Sequence, residues 1–194
     1  MKWITLSLAL FALACSGDGA AGPAQDRHAL ASARAETRTD QTLTVASIAF
    51  PAGSTIPLRH SAYGEGLSPA LSWSGVPAGT QSLALMLEDP DAVSARPFVH
   101  WLAWDVNPAS GGLPEGVSPD AAGLVQGRNN RGAIGYFGPR PHGSRPHHYH
   151  FQLFALDRRL DLARGADREA LLAAMNGHVI ARGDLVGLFA EPRR

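Results

Sequence analysis

Residues 82–87 read Ser82-Leu83-Ala84-Leu85-Met86-Leu87, and residues 98–106 read Phe98-Val99-His100-Trp101-Leu102-Ala103-Trp104-Asp105-Val106. Both are apolar at nearly every position. A strand with one wet face alternates, so continuous runs of this length predict central strands covered on both faces. Toward the N-terminus, Leu71-Ser72-Trp73-Ser74 alternates and is closed by Val76-Pro77-Ala78-Gly79. Leu43, Val45, Ile48 and Phe50 approximate the same half-buried pattern before the turn residues Pro51-Ala52-Gly53-Ser54. Toward the C-terminus, residues 148–156 and 185–189 predict further strands. Residues 167–175 are rich in helix formers, and Asn176-Gly177 supplies a stop. Residues 107–132 hold Pro, Gly and Asn clusters and predict a long, turn-rich connection. The expected architecture is mainly β with one or two helices at its side.

Composition agrees. The 194 residues include 21 Gly and 14 Pro, as a fold with many turns requires. Hydrophobic residues make up 45% and charged ones 18%, which excludes a disordered chain. With 17 Lys+Arg against 17 Asp+Glu there is no basic excess to neutralise phosphates, so nucleic acid is not expected as a partner.

Residues 1–14 carry Lys2 and then an apolar run ending Ala12-Leu13-Ala14, the pattern of a secretory signal peptide. Ala12-Leu13-Ala14-Cys15 also resembles a bacterial lipobox, although Ala12 stands where Leu is usual. Cys15 is the only cysteine, so it cannot form an internal disulfide. Ser16-Gly17-Asp18-Gly19-Ala20-Ala21-Gly22 follows as a small-residue spacer. The expectation is an exported lipoprotein on the periplasmic face of the envelope, anchored through Cys15, with a soluble periplasmic protein as the alternative. Residues 15–41 then form a flexible linker, and 42–194 the folded domain.

Three segments place polar residues where apolar strands end or are interrupted. In Asp89-Pro90-Asp91, proline holds two carboxylates rigidly. His100 stands inside an apolar run. In the third, a Gly/Pro loop around Gly138-Pro139-Arg140-Pro141 leads to His147-His148-Tyr149-His150. Alternation puts His147 and Tyr149 on one strand face, and His148 and His150 on the other. Backbone N–H groups beside imidazoles make a plausible anion cradle. Each feature also has an ordinary structural reading: a solvated turn, a core histidine, a loop.

In this order, and together with Ser68-Pro69-Ala70-Leu71-Ser72-Trp73, Phe154-Ala155-Leu156-Asp157 and Gly177-His178-Val179-Ile180-Ala181, these segments resemble the phosphatidylethanolamine-binding protein family, especially its bacterial Raf-kinase-inhibitor-like branch. The resemblance runs from about Leu43 to Glu191. It implies a central antiparallel sheet packed against a smaller sheet, with helices on the other side. It also implies a pocket at the sheet's end for phosphate-like anions, including the phosphatidylethanolamine head group. Its wall would be Asp89, Asp91, His100, Gly138, Pro139, His147 and Tyr149. His142 departs from the family's usual Pro. The two carboxylates are expected to face the imidazoles, hold them charged and so weaken anion binding as pH rises. A carboxylate would also suit the ammonium of ethanolamine.

The function expected is therefore a non-catalytic binding module for a phosphate-bearing small molecule or lipid head group, without cofactor. An inhibitor of an envelope protease, or less readily a kinase, is the alternative. No Gly-x-Ser-x-Gly elbow supports a hydrolase. His148 and His150 alone fall short of the ligands zinc takes.

Overall fold

A computed structural model describes residues 29–193. The signal peptide and Cys15 lie outside the described residues. The strands are β1 (Thr44–Ala46), β2 (Leu71–Ser74), β3 (Ser82–Asp89), β4 (Phe98–Val106), β5 (Gly112–Leu113), β6 (Val125–Gln126), β7 (His147–Leu156) and β8 (Val179–Phe189). The helices are α1 (Ala31–Arg34) and α2 (Arg168–Met175). An antiparallel sheet in the order β6-β4-β3-β7-β8 packs against a smaller one in the order β1-β2-β5. This is the predicted mainly-β architecture.

The continuous apolar runs are continuous because both faces of the large sheet are covered. Along β3, Leu83, Leu85 and Leu87 join Trp73, Trp101 and Phe151 on the side of the small sheet. Ala84 and Met86 join Trp104, Phe154 and the α2 residues Leu171 and Met175 on the other. Each large side chain so buried is worth about 1.5–3 kcal/mol. Asp167 caps α2, its carboxylate accepting from Ala170 N–H at 3.0 Å.

Two boundaries and one connection differ from expectation. β1 ends at Ala46 because Ser47 Oγ accepts from Ala49 N–H and donates to Ala70 O, bending the chain outward and leaving Ile48 exposed. β8 begins at Val179, with apolar and polar residues alternating along a half-covered strand. The turn-rich connection contains the short strands β5 and β6.

The largest correction concerns the linker. Within the described residues, 29–41 pack onto the domain instead of hanging from it. Ala31 and Ala35 enter the α2-side core. Beyond them, Arg38 N–H donates to Val179 O and Leu43 N–H to Arg182 O, so the chain runs along the outer edge of β8. The segment has no broad apolar face to announce this. It is held through its backbone, by polar groups distant in sequence.

Candidate functional site

β3 ends, and β4 and β7 begin, at one end of the large sheet, and a cavity of about 400 Å³ lies there. Asp89, Phe98, His100, His147 and Tyr149 line it from the strands. Ala92, Val93, Arg131, Phe137, Arg140, Pro141 and His142 complete it from the loops.

Four of the seven expected residues therefore meet in the cavity. Asp89 is almost fully buried. Its Oδ2 accepts from His147 Nδ1 at 2.8 Å, and its Oδ1 from Asp91 N–H at 2.8 Å. This leaves His147 Nε2 for a ligand. His100 donates from Nδ1 to Phe137 O at 2.7 Å. Its ring stacks on Phe137 and meets Tyr149 edge-on, with centroids 5.6 and 5.2 Å away. Burial pushes its pKa down to about 4, against the opposing pull of the Phe137 carbonyl. His100 is consequently neutral near pH 7, with Nε2 an acceptor, so the expectation of a charged His100 is corrected. Its aromatic surroundings remove more hydration from an imidazolium than Asp89 returns in attraction.

Tyr149 has no exposed surface, and its hydroxyl finds no hydrogen-bond partner among the described residues. Burial, then the charge of Asp89 and the approach of its carboxylate to the hydroxyl short of a full hydrogen bond, raise its pKa above the ordinary phenol value, keeping it a protonated donor.

The other three expected residues serve the wall from behind. Asp91 is turned to His148, accepting at Oδ2 from its N–H at 2.8 Å and its Nδ1 at 2.7 Å. Burial opposes ionisation of Asp91, but these His148 bonds outweigh it and lower its pKa. Each carboxylate thus faces its own imidazole, His147 for Asp89 and His148 for Asp91, but only Asp89 lines the cavity. Gly138 and Pro139 are buried in backbone packing. A Cβ on Gly138 would lie 2.6 Å from His60 O, and Ala62 N–H donates to Pro139 O at 3.0 Å.

Sequence reasoning passed over Arg131, which lies 5.6 Å from the Phe137 ring centroid, and Arg140. Arg140 stood inside the quoted Gly-Pro-Arg-Pro motif and was the available signal; Arg131 had none. His148 and His150 bond to different carboxylates, Asp91 and Asp184. Among the described residues no three His, Cys, Asp or Glu side chains converge as a metal site.

Comparison with known proteins bears on this geometry. Residues 46–190 match the family described as phosphatidylethanolamine-binding protein. A UPF0098 protein of Methanothermobacter thermautotrophicus is 48% identical over 145 residues, 73% of this chain and 94% of its own. LppC of Mycobacterium tuberculosis, named as a lipoprotein, is 39% identical over 148 residues, 76% of this chain and 72% of its own. The crystal structure of a phosphatidylethanolamine-binding protein homologue from Chlamydia trachomatis superposes with a TM-score of 0.72 at 37% identity, covering 78% of this chain and 99% of that one. None of the three carries an enzyme's name.

Proposed function

The chain belongs to the phosphatidylethanolamine-binding protein family, and on that premise we propose that it is a non-catalytic envelope protein whose cavity binds a zwitterionic phosphate ester of the phosphoethanolamine type. The observation that carries this reading is the Tyr149 hydroxyl, a buried donor in the cavity wall that the nearby Asp89 carboxylate does not bring to a full hydrogen bond. Leaving such a group unpaired costs about 1–3 kcal/mol, so it is a place where a ligand oxygen restores what folding gave up. Charge in the cavity is divided. Arg131 and Arg140 offer guanidinium donors suited to phosphate oxygens. Asp89 and the His100 Nε2 lone pair offer acceptors suited to an ammonium. A phosphate with an attached amine uses both sets; phosphate alone uses one. The envelope location is supported by the lipoprotein name of the M. tuberculosis relative.

Calorimetric titration tests this. Phosphorylethanolamine should bind about ten-fold more tightly than inorganic phosphate, as expected if the amine adds about 1.4 kcal/mol. Both should weaken in Arg140→Gln. Absence of binding heat from either compound, or affinity unchanged by Arg140→Gln, overturns the reading.

A further inference from the structure

On the α2 side of the large sheet, four side chains from three strands and α2 grip the backbone of the arm formed by residues 29–35. Glu88 Oε2 accepts from Ala31 N–H at 2.7 Å, and Gln152 Oε1 accepts from Ser32 N–H at 2.7 Å. Arg168 donates through Nη2 to Ala29 O at 2.7 Å, and Arg182 donates through Nη1 to Ser32 O and Ala35 O. We propose that this face is a peptide-binding site, that the chain's own arm occupies it in cis, and that it takes a segment with small residues at i and i+4.

Recognition through main-chain N–H and C=O groups is how peptide-binding surfaces hold segments with little side-chain identity. Here the side-chain requirement is small: Ala31 and Ala35, one helical turn apart, are the residues of 29–35 that become buried. Ala31 has no exposed surface and Ala35 almost none, which favours small residues at both places.

Three of the four gripping side chains, Glu88, Gln152 and Arg168, are also bonded to one another. Glu88 Oε1 accepts from Arg168 Nε at 2.5 Å, and Gln152 Nε2 donates to Glu88 Oε2 at 2.7 Å. The domain's own residues therefore aim the donors and acceptors. The family match begins only at residue 46, and the C. trachomatis homologue is accounted for over 99% of its length by 78% of this chain. The arm therefore lies upstream of the part of the chain that the family shares.

Two measurements on the full chain test the proposal. Hydrogen exchange at the Ala31 and Ser32 amides should run about a hundred-fold faster than at Leu85 and Leu153, because the arm opens while the sheet stays closed. Equal rates would make the arm part of the core and overturn the idea. Ala31→Asp puts a like charge beside Glu88 and should undock the arm while the domain keeps its cooperative transition. That variant should bind a labelled synthetic peptide of residues 29–38 saturably, one per chain. Wild type should bind it about ten-fold more weakly, since its own arm competes. A peptide carrying Ala31→Asp should not bind. Dimers with exchanged arms would support the same site, filled in trans. A folded Ala31→Asp chain that ignores the peptide overturns the proposal, as does an Ala31→Asp chain that cannot fold.

Discussion

Tyr149→Phe removes one oxygen, and the two readouts should move in opposite directions. Thermal stability should hold or rise by up to about 1 kcal/mol, because a buried donor without a partner disappears. Affinity for phosphorylethanolamine should fall by about ten-fold in calorimetry. Loss of both together would mean the hydroxyl serves packing alone. His100 governs a different observable. Its ordinary value is 6.5 and its folded value about 4, so the folded state resists the proton that the unfolded state accepts. Its contribution is complete above about pH 6.5 and is lost as pH falls toward 4, a decline of about 3 kcal/mol. Urea midpoints on either side of that window should show it, and His100→Gln should flatten the difference. At Gly138 the prediction is steric. Ala there meets the His60 and Ser61 backbone at 2.6 Å and should cost about 1–3 kcal/mol of unfolding free energy. At this scale the sequence was legible where a residue type is chemically conspicuous against its neighbours, as with His100 in an apolar run. Arg131 was not, because a loop arginine looks the same whether it faces solvent or a cavity.

β3 is the element that joins the two halves of the molecule. Its last two residues point to opposite faces: Asp89 fixes His147 in the cavity, while Glu88 receives Arg168, Gln152 and the arm. Glu88→Gln removes the fully buried one of the two carboxylates paired with Arg168 and leaves only Glu169, at 2.9 Å from its Nη1. It should destabilise the fold by about 1.5–3 kcal/mol in denaturant titration, more than the loss of an exposed pair such as Arg164–Asp120. β3, β4 and β7 could be read from apolar runs, and α2 from helix formers with a stop, because each announces itself over adjacent residues. The docking of 29–35 could not. Its bonds reach partners 57 to 150 positions away, and nothing local distinguishes Ala-Ser-Ala-Arg in a groove from the same residues in water.

For the whole molecule, the outer edge of the large sheet is the exposed flank to account for. β8 is screened by residues 38–43 along its first half. Along the second, Gly53 N–H donates to Val186 O and Ile56 N–H to Leu188 O. Unscreened edges pair with other chains. A chain shortened to begin beyond Leu43 should therefore associate as its concentration rises, which sedimentation would detect, whereas Ala31→Asp, with residues 38–43 still in place, should not associate through this edge. The arm has a mechanical side as well. Residues 29–43 are folded back on the domain, and an extended chain spans about 3.3–3.6 Å per residue. Letting go of residues 29–35, the part held by Glu88 and Arg168, frees up to roughly 25 Å of extended chain. The same short peptide that fills a groove thus also stores slack, and the grip of Glu88 and Arg168 decides when that slack is released.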